Sequence, residues 1–410
     1  MAFPDHPLAA VTHANPYPYY AQLVEQRPLY YDASLKLWVA AGAAVVDAVL
    51  ASDLCGVRPL AEPVPAALLG SPAAAIFRHL VRMNDGAGHC PLKQAVTAAL
   101  DAVEARAMPL AHATARRLAR TLPAADDSDS AHAAHAAAVS DFQFRLPLLV
   151  VAQLLGIAEQ NWPLLVPRVE ALVGAFAPGA DAHRIEAGGA AAAWLLDLLR
   201  HLLRAPAAGD GLLAALASEA GAAGCGDPAL VAANAAGFLT QTYEASAGLI
   251  GNTLVALAAQ PSLQRQLEAD PAALGAAIQE VLRTDPPVQN TRRFVQRTGV
   301  VAGQPMRQGD AILVLLGAAG RDPAANPDPQ RFDPGRRGRR IFCFGGGVHA
   351  CPGARIAVAI AEAGVGCLLA AGADPGRLAR TVRYRASLNG RMALFGAADA
   401  GFSNNGGGQR

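Results

Sequence analysis

Apolar residues recur with a helical period through most of the chain, and the helices they predict are long. From 97 to 269, alanine and leucine carry that period with only short Pro, Gly and Asp breaks. The predicted helices are 101–121, 142–156, 160–175, 185–204, 210–219 and a long one at 228–258. The tract ADDSDSAHAAHAAA (125–138) is low in complexity and reads as a surface loop with a frayed helix. Before this region, NPYPYYAQLVEQ (15–26) is a helix signal, and LYYDASLKLWVAAG (29–42) reads as a small β-hairpin. The stretch 56–80 carries four prolines and reads as an irregular loop over a pocket.

After it, Asp270 and Pro271 open a helix that the Pro286-Pro287 pair stops. Short strand-like runs lie in 291–303 and 311–318, and a Pro-rich coil covers 322–335. TVRYRASLNGRMALFGA (381–397) alternates about a central Asn389-Gly390, the signature of a hairpin. The pattern predicts a mainly α protein with small β-sheets (α+β).

Candidate chemistry concentrates in FGGGVHACPG, Phe344 to Gly353. Gly345 to Gly347 permit backbone shapes that let something approach the main chain closely. Cys351 precedes Pro352 and a helix-forming run, so it reads as a thiol at a helix start, where backbone N–H groups and the helix dipole favour a thiolate. Three readings stand for this loop: a buried structural cysteine, a G-x-G-x-x-A nucleotide loop that lacks a surrounding βαβ pattern, and an iron-thiolate site with Phe344 packed beneath it. His89 and Lys93, at i and i+4, share a helix face and suit either an anion or a solvated surface pair.

Charge and composition narrow this. The 410 residues are 52% hydrophobic and 16% charged, with net charge +1, so no charge excess points to nucleic acid. Lysine occurs only at 36 and 93. The six cysteines form no disulfide framework or paired C-x-x-C knuckles, which fits a reducing compartment. No signal-peptide pattern or uninterrupted apolar span stands out, so a cytoplasmic protein without a membrane anchor is expected. Length alone suits two or three domains.

Three motifs in order, Glu280-x-x-Arg283, Pro329-Gln330-Arg331-Phe332 and Phe344-x-x-Gly347-x-x-x-Cys351-x-Gly353, resemble those of the cytochrome P-450 superfamily. The likeness covers nearly the whole chain and is nearest the soluble bacterial type. It implies a single haem-binding catalytic domain over 1–400 and a disordered tail at 401–410. Heme b (iron protoporphyrin IX) would lie between a long distal helix and the proximal cysteine loop. By that resemblance Cys351 is the metal ligand, and Phe344, Gly347 and Gly353 shape its loop. His89, Lys93, Arg293 and His349 hold the haem propionates, with Lys93 replacing the family's arginine, which keeps charge and loses the bidentate fork. Glu280, Arg283 and Arg331 form the bracing Glu-Arg-Arg network.

The segment QTYEASAGLIGN (241–252) departs from the family's Ala-Gly-x-Asp/Glu-Thr-Thr. Glu244 matches the acid, but Ala245 replaces the threonine, Thr242 the glycine and Gln241 the alanine. Ser246, the nearest hydroxyl, lies one position on, roughly 100° around a helix. The resemblance implies O₂- and electron-dependent oxidation of a small organic substrate in specialised metabolism, with protons supplied through the substrate or a rewired Glu244 and Thr242 relay. The alternative is a haem-thiolate protein outside that scheme: a peroxide-driven oxygenase, an isomerase or an enzyme of nitrogen-oxide chemistry. The implied electron donor is of ferredoxin or flavodoxin type, docking on a basic patch of Arg336, Arg337, Arg339 and Arg340. Gln241, Gln289 and Asn290 are expected to orient a polar substrate within a largely apolar pocket.

Overall fold

A computed structural model describes residues 3–124, 128–204 and 210–396. Among them fifteen α-helices run in chain order. The first five are α1 (Pro7–Ala10), α2 (Tyr17–Gln26), α3 (Ala43–Ala51), α4 (Pro72–His79) and α5 (Cys90–Ala119). Next come α6 (Asp129–Leu154), α7 (Trp162–Phe176), α8 (Ala182–Arg204), α9 (Leu212–Ala222) and α10 (Pro228–Ala258). The last are α11 (Pro261–Ala269), α12 (Leu274–Thr284), α13 (Leu316–Ala319), α14 (Ala354–Ala370) and α15 (Pro375–Ala379).

Helix α10 is the axis, and its bounds are those the periodicity predicts. Asp227 caps it by accepting from the Ala229 N–H at 2.9 Å, and Pro228 suits the first turn. Most of its residues are buried on all sides, as expected of a helix inside protein. Helices α4, α6, α8, α12 and α14 pack on it. Its small residues let neighbours close in: a Cβ at Gly248 would lie 2.8 Å from the Pro287 Cβ.

Nine short strands form the β part: β1 (Leu29–Asp32), β2 (Leu37–Ala40), β3 (Cys55–Gly56), β4 (Thr291–Val295), β5 (Gly299–Val301), β6 (Gln304–Met306), β7 (Ala311–Val314), β8 (Arg383–Tyr384) and β9 (Ala393–Leu394). Five make one sheet in the order β1-β2-β7-β4-β3, with only β2–β7 parallel. The expected hairpin is β1–β2, with Leu29 opposite Ala40. In β4, Arg293 shares the buried face with Val295.

Three expectations about local structure need correction. The stretch 56–80 is not all loop, because Pro72 opens α4 under a Ser71 cap (Ala74 N–H to Ser71 Oγ, 3.3 Å) rather than breaking structure. Residues 129–138 are helical: the Ser128 hydroxyl accepts from the Ala131 N–H at 3.3 Å and starts α6, while 125–127 lie outside the described residues. Strands β8 and β9 pair antiparallel as the expected hairpin, but their connection is the longer segment 386–391, in which Asn389-Gly390 does not form a tight two-residue turn. Gly390 instead bridges Val288, and the Asn389 carbonyl accepts from the Gln289 N–H at 2.8 Å. The expected disordered tail at 401–410 lies outside the described residues. Among these residues no helix is long and apolar enough to cross a membrane.

Candidate active site

The glycine loop folds back on itself to present Cys351. The Cys351 N–H donates to the Phe344 carbonyl and the Gly345 N–H to the Phe342 carbonyl, both at 2.8 Å. Gly347 has φ +61, and a Cβ there would lie 2.8 Å from the Leu50 carbonyl oxygen on α3, so both conformation and space demand glycine. Helix α14 begins at Ala354, later than the Pro352 start that the sequence suggests, so Cys351 sits just before the helix cap rather than in its first turn. Burial pushes the thiol pKa up, partly offset by the Gly353 N–H and by Lys93. The helix end therefore does not by itself bring this thiol below its ordinary range. Cys351 is nevertheless exposed. Cys343 is buried, and burial pushes its thiol far up, which leaves Cys351 as the loop's available sulfur.

Four of the sequence-derived residues meet beside that sulfur. Lys93 Nζ donates to the Ala350 carbonyl. The His89 and His349 rings lie 4.3 Å apart between centroids. Burial first, then His349 and Lys93, lowers the His89 pKa to about 4, so this ring is neutral near pH 7. Arg293 is buried on β4 and attracted by Asp85. Asp85 itself escaped the sequence reading; an acid four residues before His89 was the available cue. Its carboxylate lies 2.9 Å from His349 Nε2 and accepts from the Val57 N–H at 2.9 Å. Those bonds outweigh burial and lower its pKa, so the His349 Nε2 carries the donated proton.

The bracing network differs from the expectation at one arginine. Glu280 and Arg283 are fully buried and bonded at 2.7 Å. Arg331, however, turns its guanidinium outward, 71% exposed and 3.8 Å from Asp333, and contributes only its carbonyl, which accepts from Arg283 at 3.0 Å. Arg339 (2.7 Å) and Arg336 (3.3 Å) reach Glu280 instead. The Asp333 N–H adds a bond at 3.0 Å. These donors hold the Glu280 carboxyl below the usual range despite burial. Consequently Arg336 and Arg339 do not belong to a surface patch. Arg337 is exposed, and Arg340 pairs with Asp47 at 2.7 Å.

On α10, Gln241 and Ala245 share one partly open face, while Ser246 is buried. Thr242 and Ser246 bond each other at 3.1 Å. Glu244 lies 3.7 Å from Arg385, whose guanidinium also reaches Glu170 of α7 at 3.3 Å. Burial raises the Glu244 pKa, Arg385 lowers it and Glu170 raises it. Gln289 and Asn290 do not face a substrate. Both are buried, donating to the carbonyls of Pro286 (2.8 Å) and Leu388 (2.9 Å).

One sulfur on a glycine loop whose Gly347 admits no Cβ, near a lysine, an arginine and two imidazoles, fits a flat metal chelate with carboxylates at one edge. Fold and site together define a haem-thiolate class of protein. The family model described as Cytochrome P450 matches residues 270–371, the span that holds Glu280 and Cys351. Cytochrome P450 133B2 of Xylella fastidiosa is similar at 29% identity over 368 residues, 87% of this chain and 88% of its own. The 6-deoxyerythronolide B hydroxylase of Saccharopolyspora erythraea is 33% identical over 233 residues, 53% of this chain and 54% of its own. The chain thus spans about half the length of the curated relatives it matches above 30% identity. Among solved structures, that of CalO2 superposes with a TM-score of 0.78 at 25% identity, covering 93% of this chain and 96% of that one. The chain belongs to the cytochrome P450 family.

Proposed function

We propose that this protein, as one catalytic unit over 1–400, is a haem b monooxygenase that oxidises a small organic substrate with O₂ and two externally supplied electrons. The observation that carries the reading is Cys351, held on its glycine loop by its bond to the Phe344 carbonyl, with Lys93 bonded to the adjacent Ala350 carbonyl. When bound, the haem would supply oxygen activation, and a thiolate ligand would favour that chemistry. Cys351 would be the ligand, with Lys93, Arg293 and His349 holding the propionates. His89, neutral and packed at a tilt against His349, would offer a hydrogen bond rather than charge.

Proton handling falls to the distal helix. Ala245 has no hydroxyl, Thr242 and Ser246 are bonded to each other, and Glu244 is engaged by Arg385. Glu244 is the group able to give and regain a proton, and Arg385 sets how readily it does so. The missing hydroxyl favours a second reading, a peroxide-driven oxygenase that needs no such relay. Two relatives are named as a hydroxylase of 6-deoxyerythronolide B and a 23-monooxygenase of a mycaminosyltylactone, which supports hydroxylation in specialised metabolism. Exposed Arg331 and Arg337 support an acidic ferredoxin or flavodoxin type donor.

Cys351→Ser tests the site: the reduced carbon monoxide complex of the wild type is expected to show the red-shifted Soret band, and the variant to lose it. Retention of that band would overturn the assignment. Turnover with a ferredoxin system, against peroxide alone, separates the two readings.

A further inference from the structure

Arg82 has no hydrogen-bond or ion-pair partner among the described residues, although it lies where the two halves of the site meet. The turn that carries it, Val81–Met83, is fastened at both ends. On one side the Val81 N–H donates to the Asn234 side chain of α10 at 2.9 Å, and Asn234 in turn donates to the His79 carbonyl at 2.7 Å. Leu80 presses on Gly237 so closely that a Cβ there would lie 2.6 Å from its Cδ2. Gln241 is the next residue on that face of α10, and Ala245 follows one turn later. On the other side, Asp85 is bonded to His349 of the cysteine loop. Arg82 therefore stands on the wall between the distal helix and the charged cluster.

Its side chain is open to solvent, yet the protein around it lowers its pKa to about 10, and burial alone is the cause. What sets it beside the site is the anchoring of its turn between α10 and His349. The guanidiniums around the site already have partners: Arg293 donates to the Arg292 carbonyl, Arg336 and Arg339 to Glu280, and Arg385 to Glu170. A cation held beside protein without a counterion can gain by pairing with a ligand that supplies one. The guanidinium fork matches a carboxylate in two parallel bonds.

We propose that Arg82 binds the carboxylate of an organic-acid substrate at the distal edge of the site. This rests on the haem-site reading above and adds a substrate class to it. The alternative source of the same chemistry is a haem propionate, and the test separates them.

The haem-loaded protein is titrated, by calorimetry and by absorbance, with decanoic acid against decanamide and with 4-phenylbutyric acid against its amide. In the wild type at least one acid should bind about tenfold or more tightly than its amide, the range expected of a charge-assisted pair. In Arg82→Gln that preference should fall to about twofold or less with haem content unchanged, and Arg82→Lys should retain part of it. The proposal is overturned if neither acid is preferred, if the preference survives Arg82→Gln, or if Arg82→Gln loses haem, which would assign the residue to a propionate. A wild type that takes up no haem would instead defeat the underlying haem-site reading.

Discussion

Glu280→Gln should be among the most destabilising single changes available outside the apolar core. The glutamine keeps the shape and one acceptor but deletes the charge that three guanidiniums share. Arg283 is fully buried, and Arg336 and Arg339 are nearly so, at 9% and 13% exposure. Their remaining N–H groups are committed to the carbonyls of Gly320, Pro329, Arg331, Asp328 and Pro334, so they cannot turn out to water without unmaking the coil before the cysteine loop. Removing one partner of a buried pair costs about 3–5 kcal/mol. With three cations left uncompensated, the upper part of that range applies.

Arg331→Ala is the control, because an ion pair this exposed contributes about 0–1 kcal/mol. Urea unfolding followed by circular dichroism reads both as shifts of the midpoint. The contribution also depends on acidity. Since the folded pKa of Glu280 is depressed, its stabilisation is complete above the unfolded carboxylate value of about 4.3 and is lost as pH falls through the lower folded value. Equal midpoints for Glu280→Gln and Arg331→Ala at pH 7, or a larger loss in Arg331→Ala, would refute the reasoning.

Gly347→Ala should cost about 1–3 kcal/mol from the left-handed backbone alone, with more from the contact with Leu50. Gly353→Ala, at φ −93 with open space around the new Cβ, should leave the melting temperature nearly unchanged, and equal effects would discount the cradle. Ala245→Thr should alter the ratio of product formed to electrons consumed; if product yield and peroxide release both stay put, the account of the distal helix fails. Arg385→Gln removes the cation that holds the Glu244 pKa down, so that pKa should rise further and the alkaline limb of the rate profile, where the proton donor is lost, should move to higher pH. An unmoved limb would show that Glu244 does not handle the proton.

Legibility followed sequence distance. The glycine loop, the cysteine, and the Glu280 and Arg283 pair were readable because each is local: an i,i+3 spacing on a helix places two side chains together whatever the rest of the chain does. The long distal helix was readable for the same reason, since its cap, length and alanine-rich composition are properties of one segment. His89 and Lys93 remained a pair without a purpose until the family resemblance supplied one, and the fold then set them against Ala350 and His349.

By itself, then, the sequence determined the helical architecture and set Cys351 on a glycine loop, because these are written in short-range spacing and backbone demands, while the haem-thiolate reading of that sulfur came from the resemblance of three ordered motifs. Only the tertiary structure decided that Arg336 and Arg339, not Arg331, close on Glu280, that Asp85 braces His349, and that Arg385 engages Glu244. Several arginines lie within a few residues of one another in the coil after Pro329, and which of them turns inward depends on the path the backbone takes to satisfy its carbonyls. That path is a long-range outcome of packing, and no local pattern encodes it.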